Sequence, residues 1–407
     1  MPSTFAWLDT SEADRRRVLD VIDLLSKSGT VDELGIGGVR DAIADRLAPA
    51  TSTIQTRVRY LFFIPWMYRH LERKGGTADK IAQRARQFEI SLTEVLSRSP
   101  DSAGTIGILA GGSIKRLPSS VYWAGLGSLG IRLFRGSIEN YHRAISLAAA
   151  RLAEGRTVVE PHPDDGREEA APRGHWHPHL PDAPSGFPEA ATFRLTREEA
   201  DYLSDRFRTY APGSLVSFLV DSGRAFERTD FPWQHPLLGS APARAREDVD
   251  HARCFSEALH GAALLYNLML AQELGNSQWT DEYQAELAKW AAMAEDRRDV
   301  LRAWDRAAFW QLVEQVNPRV SPRTRGFCDT WIDRVLASPA IARLAEDVVA
   351  RQLVSEREHR MKGARSRLHH REYLELWGGE SFAGQLDYRW TTTQTFALDI
   401  AKGYEPC

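Results

Sequence analysis

Cysteine is scarce in this chain of 407 residues: Cys254, Cys328 and Cys407 lie far apart and form no CxxC pair. Such spacing offers neither a disulfide framework nor a thiolate zinc site. Long apolar runs are missing too. The longest, Tyr60 to Tyr68, has nine residues, about half of the ~20 that a membrane helix needs. The N-terminal MPSTFAWLDTSEADRRR does not run from basic to apolar as a signal peptide does. A cytoplasmic protein with no membrane attachment is expected. Complete catalytic signatures are also absent. GILAGGSIK does not end in the Gly-Lys-Ser/Thr that seats a lysine on phosphates, and there is no G-x-S-x-G elbow and no HExxH. HRMK at His359 is one residue longer than the His-x-Lys spacing of phospholipase D-type nucleases. No cofactor and no catalytic residue is expected, so the chain reads as non-enzymatic.

What the chain does have is segregated charge. Its net charge of −3 conceals a contrast: residues 1–39 carry 4 Lys/Arg against 7 Asp/Glu, residues 40–151 carry 17 against 8, and residues 152–407 carry 31 against 40. A basic block of this kind suggests an anionic partner, or else neutralisation by the acidic part of the same chain.

Helical texture dominates. An N-cap at Ser11 opens a helix through Lys27. Val39, Ile43 and Leu47 mark a second that stops before Pro49, Ser52 or Thr53 caps a third running to Lys74, and Ile81, Ala85, Phe88 and Leu92 form the apolar stripe of a fourth over 77–97. LPSSVYWAGLGSLGI reads as a short helix and SIENYHRAISLAAARLAEG as a longer one. The Pro/Gly-rich text between Gly155 and Pro188 has no periodicity and predicts a linker. Three segments follow: a basic helical domain over 1–154, a linker over 155–194, and an acidic, Trp-rich helical domain over 195–407. Only RTVVE and LDYRWTTTQTFALDI suggest strands, so the fold class is mainly α.

Two corners resemble helix-turn-helix readers. In the first, GGVRDAIADRL, the turn APAT and STIQTRVRYLFF place Ser52, Thr53, Gln55, Thr56 and Arg59 on an exposed front, with Ile54 and Val58 turned inward. Gln bonds adenine edges, Arg bonds guanine or phosphate, and Ser/Thr bond either. Arg40, Arg46, Arg57, Arg69, Arg73 and Lys74 add bonds to phosphate; core packing is the alternative for this corner. In the second, Pro118 opens a helix just after Lys115 and Arg116, its competing reading being a core helix filled by Tyr122 and Trp123. A third basic stretch, SEREHRMKGARSRLHHRE, is a phosphate track or a solvated face. His175, His177 and His179, with His162 and Asp164, offer zinc-ligand types, though in a Pro-rich stretch such a cluster is usually metal-free. His260 and Asn267 are polar exceptions in an apolar helix and read as core hydrogen-bonders.

FAWLDTSEADRRRVLDVIDLL, DELGIGGVRDAIADRLAPATSTIQTRVRYLFFIPWMY, RLPSSVYWAGLGSLGI and ARSRLHHREYLELWGGE with LDYRW together resemble an uncharacterised bacterial family of this length. Such proteins look like ones encoded beside helicases, phospholipase D-like nucleases or modification enzymes in phage-defence islands. The resemblance implies an antiviral role and brings no catalytic residues. The expectation is a DNA-associated subunit that binds DNA through Arg40, Ser52, Thr53, Gln55, Thr56, Arg57, Arg59, Arg73, Lys74, Lys115 and Arg116, and a helicase or nuclease through its C-terminal domain. The alternatives are a scaffold or sensor that binds only protein, and a metal-dependent nuclease with dispersed catalytic residues.

Overall fold

A computed structural model describes residues 32–153 and 174–405. The helix expected over 11–27, the RTVVE stretch, His162 and Asp164 lie outside the described residues. The rest is mainly α, as its periodicity predicts, with no strand among the described residues and one isolated antiparallel bridge between Arg132 and Trp176. In chain order the helices are α1 (Gly37–Leu47), α2 (Tyr60–Lys74), α3 (Ala78–Ser97), α4 (Pro118–Ser128), α5 (Ile138–Ala153), α6 (Arg197–Tyr210) and α7 (Leu215–Ser222), then α8 (Ala243–Leu274), α9 (Ser277–Asp296), α10 (Arg298–Ala303), α11 (Arg306–Val316), α12 (Pro322–Ala337), α13 (Val348–Lys362), α14 (Arg371–Leu374) and α15 (Trp390–Tyr404). No described helix is long and apolar enough to cross a membrane.

The described residues divide into two compact units: 32–43 with 250–386, and 44–153, 174–249 and 387–405. The division differs from the expected segments 1–154, 155–194 and 195–407. Its boundaries fall inside α1 and α8, and the described part of the expected linker is packed structure. Trp176, Leu180 and Phe193 are buried, Phe187 stacks on Phe63, and the Trp66 indole donates to the Pro181 carbonyl. Composition signalled a linker, but aromatic burial outweighs it, since each large apolar side chain removed from water contributes about 1.5–3 kcal/mol.

The second unit is built on α2. Every residue from Tyr60 to Tyr68 is buried, which accounts for a helix that is apolar on all sides. Around it stand Tyr122 of α4, Tyr141 of α5 and Tyr202 of α6, with Phe193 and Trp176. The terminal LDYRWTTTQTFALDI, expected as a strand, is helix from Trp390 onward, the start of α15. Phe396, Ala397 and Ile400 are buried, and that tertiary packing overrides the weak β preference of its threonines.

In the first unit, tryptophan anchors the core. The indoles of Trp290 and Trp331 donate to the Glu257 and Ala258 carbonyls, and that of Trp310 to Asp329. His260 faces the Ala383 carbonyl, while Asn267 donates to Ala263 and Ser381 and accepts from the Ser381 amide. Both are the core hydrogen-bonders that their sequence positions predict. The stretch over 355–372 is neither a track nor a solvated face throughout. Arg357 is buried and donates to the Leu34 carbonyl and to Thr324, while Arg367 and Lys362 both pair with the buried Glu33.

Candidate nucleic-acid interface

The segment expected to begin a reading helix forms no helix. Residues 51–59 are turn and irregular backbone, and α2 starts at Tyr60. The physical reason is the fate of the amides that a first turn would need. The Thr56 and Arg57 amides are taken by the Tyr122 hydroxyl and the Val58 amide by Asp399, while the Ser52 amide is met locally by the Gln55 side chain. Tyr122 in turn donates to the Arg57 carbonyl. Tertiary partners thus satisfy the chain in an irregular path, and a helix from Ser52 has nothing to gain.

Nor is this segment an open polar front. Gln55 is buried, Thr56 donates to the Gly104 carbonyl, and Ile54, expected inward, is exposed. Thr53 alone among the expected readers of this segment is exposed. Arg57 makes a two-pronged bond to Asp399, 2.9 and 3.1 Å, donates to the carbonyls of Asp101 and Ala103, and covers the Phe193 ring at 4.5 Å. Arg59 is buried and bonds Glu199 at 2.7 Å and the Thr192 carbonyl at 2.9 Å. Burial pushes the Asp399 carboxyl above its ordinary range, and Arg57 pulls it only part of the way back. Arg46 and Arg69 pair with Asp248 and Asp182. Arg40 belongs to the other unit, pairs with Asp41 and lies over the Phe382 ring. The reading corner expected at Ser52 is thereby corrected: its guanidiniums serve the fold.

At the second corner the core-helix reading holds, and the reading-helix alternative does not. In α4, Val121, Tyr122, Trp123 and Leu126 are buried. Lys115 and Arg116 ahead of it are exposed.

Open cations are found on α3 and its two flanks. Thr77 caps the helix, its side chain accepting from the Lys80 amide. Ile81, Ala85, Leu92 and Leu96 bury one face, and the opposite stripe reads Lys80, Arg84, Gln87 and Ser91, spaced i, i+4, i+7 and i+11, with Gln83 beside it, all of them exposed. Two arginines tie neighbouring segments to this helix. The Arg84 guanidinium donates to the Gly75 carbonyl at 2.7 Å, which holds the turn that follows the exposed Arg73 and Lys74. Gly75 has φ +60, a left-handed conformation that disfavours side chains, and a Cβ there would stand 3.1 Å from the Ala149 Cβ. The exposed Arg86 donates to the Ile114 carbonyl at 3.0 Å, holding the loop that leads into Lys115 and Arg116.

Opposing charge at this face comes from α3 itself: Asp79 and Glu94 are exposed, and Glu94 continues the stripe of Lys80, Arg84, Gln87 and Ser91. None of Arg73, Lys74, Lys80, Arg84, Arg86, Lys115 and Arg116 makes an ion pair among the described residues. No Asp or Glu occurs from Ser102 to Ile138. Within α3, Glu89 is turned into the core, where its carboxyl accepts from the Ser119 amide and hydroxyl at 2.7 and 2.8 Å. Burial raises its pKa from 4.5 to about 7. The positive field is felt by His70, held below its ordinary pKa first by burial and then by Lys74 and Arg73. Of the expected site residues, the structure therefore gathers Arg73, Lys74, Lys115 and Arg116 around α3. Sequence reading missed Lys80, Arg84 and Arg86, although the apolar stripe of that helix was evident and its complement could have been read from the same periodicity.

No group of three or more His, Cys, Asp and Glu side chains among the described residues is arranged to hold a metal ion. His175, expected with the histidine cluster, bonds Glu72 at 2.8 Å, and His177 meets Arg206 at 2.9 Å. A family model described as "Family of unknown function (DUF6361)" matches residues 2–403. No curated protein and no solved structure matches the chain.

Proposed function

Since the chain belongs to the DUF6361 family, whose description assigns no activity, we propose from its surface that it is a non-enzymatic, duplex-DNA-binding subunit whose DNA-facing element is α3. The setting of the proposal is the one its resemblance implies: a bacterial antiviral assembly, acting in the cytoplasm with a helicase or nuclease as protein partner. One observation supports the reading. Seven exposed cations, Arg73, Lys74, Lys80, Arg84, Arg86, Lys115 and Arg116, lie on α3 and its two flanks beside the amides of Gln83 and Gln87; the exposed Asp79 and Glu94 of the same helix pair with none of them among the described residues. Cations of this kind meet phosphates and release condensed counterions, and an exposed helix bearing glutamines suits the major groove, whose base edges offer the donors and acceptors that an amide matches.

Anisotropy of a labelled duplex, titrated with the full chain over a salt series, tests the proposal. Wild-type affinity is expected to fall steeply with salt. A variant with Lys80, Arg84, Lys115 and Arg116 replaced by Ala is expected to flatten the log–log slope by about 0.9 for each phosphate that is no longer neutralised. A folded variant with unchanged affinity and slope overturns the reading.

A further inference from the structure

Between α3 and α4 the chain makes a glycine-rich loop whose tip is built to be exposed. Leu109 is 100% exposed and Ile108 47%, an unusual placement for two aliphatic side chains held by an ordered backbone. Both feet of the loop are anchored. On one side the Ile106 amide donates to the Tyr60 hydroxyl at 3.0 Å, and its carbonyl accepts from Thr93 at 3.2 Å. On the other, the Ile114 side chain is buried and its carbonyl accepts from Arg86. The tip closes on itself: the Ala110 and Gly111 amides donate to the Gly107 carbonyl at 3.0 and 2.9 Å, and the Ser113 amide and hydroxyl both donate to the Ala110 carbonyl. Gly107 adopts φ +82, and a Cβ there would stand 2.3 Å from the Ile114 Cδ1, so only glycine lets the two feet close. A loop so fastened has no slack through which Leu109 could fold back.

Lys115 and Arg116 follow the loop directly, and α3 is tied to its foot through Arg86. We propose that Leu109, flanked by Ile108, is a wedge that enters the base stack of a duplex from the minor groove and kinks it while α3 and the flanking cations hold the phosphates. The inference rests on the DNA-binding reading above. Leucine and isoleucine are among the side chains that unstack base steps in this way, with kinks of about 20–90°. The loop and the chain that follows it carry no Asp or Glu from Ser102 to Ile138, which suits close approach to a polyanion; the nearest acid along α3 is the exposed Glu94, next to the Thr93 that holds the foot of the loop. Two aliphatic side chains are a small area for a protein partner, whose stable interfaces bury roughly 1,200 Å² or more. They are also weak for lipid, since a myristoyl chain with more apolar carbon gives only marginal membrane attachment.

The test uses the full chain, a short duplex labelled at both ends for energy transfer, and vesicles of anionic phospholipid. Wild type is expected to bind and bring the duplex ends closer. The variant Ile108→Ala with Leu109→Ala is expected to keep its melting temperature, bind within a few-fold of wild type with the same salt slope, and leave the end-to-end distance as in free duplex. Equal bending by wild type and variant, or wild-type binding without bending, overturns the wedge while leaving the DNA-binding reading standing. Absence of wild-type binding at low salt overturns both. Vesicle binding that depends on Leu109, with no bending, overturns the wedge in favour of a lipid-facing tip.

Discussion

Arginine has two opposite fates in the second unit. In the 51–59 segment Arg57 and Arg59 are enclosed, each with its own carboxylate and backbone carbonyls, and the segment is a hub that joins Tyr122, Asp399, Thr192 and Glu199. On α3 and its flanks, Lys80, Arg84, Lys115 and Arg116 are exposed and carry no ion pair among the described residues. The first set is committed energetically to the fold, because an ion taken out of water must be compensated in place. The second set retains its field for something outside the chain. Both sets belong to the stretch 40–151, in which Lys and Arg outnumber Asp and Glu, so the difference lies in which carboxylates the fold delivers.

That comparison breaks first at Arg59. Arg59→Ala leaves Glu199 buried without its partner and is expected to lower unfolding stability by about 3–5 kcal/mol, read by urea or thermal denaturation; Arg57→Ala acts in the same direction through Asp399. A fully stable Arg59→Ala protein would mean that the two side chains do not form a buried pair. Next is Glu89, the one carboxylate of α3 that turns into the core, while Asp79 and Glu94 stay exposed. Its folded pKa of about 7 lies above its ordinary 4.5, so between those values the folded state binds more protons than the unfolded one, and stability falls as pH rises through that window. The full contribution is on the order of 3 kcal/mol. Glu89→Gln, which can still accept from the Ser119 amide, is expected to remove most of this slope in denaturation curves taken from about pH 4.5 to about pH 7.5.

Smaller in energy, and aimed at the exposed side, Lys80→Ala with Arg84→Ala is expected to cost no more than about 1.5 kcal/mol, the Arg84 bond to the Gly75 carbonyl included, while reducing the salt slope of DNA binding by about 1.8. If stability drops and the slope does not, the two regions are alike and the contrast fails. The least effect belongs to Thr53→Ala. Its side chain is exposed, so both stability and duplex affinity are expected to stay at wild-type values; a drop in affinity would restore a reading role to the 51–59 segment.

Helix positions were largely legible because their causes are local. The Ile81, Ala85, Leu92 stripe with its Thr77 cap locates α3, and the nine-residue run from Tyr60 locates the buried helix α2. What misled was Ser52-Thr53, which has the residue types of an N-cap but lies well ahead of the helix that forms at Tyr60. Nothing nearby signals that Tyr122, 66 residues from Thr56, and Asp399, 341 residues from Val58, take the amides in between. The same separation hides the ion pairs: Glu199 is 140 residues from Arg59, and Asp399 is 342 from Arg57. LDYRWTTTQTFALDI was read as strand because its threonines and aromatics suggest it locally, whereas packing against α6 and α7 makes it helix from Trp390 onward.

Composition and periodicity, which act through neighbours one to four residues apart, determined the helical class, the positions of most helices and the excess of positive charge over 40–151. Which of those charges remain open to solvent was decided by the folded chain alone. A guanidinium is neutralised by whatever carboxylate lies within a few ångströms, and that distance is set by tertiary packing rather than by order along the chain.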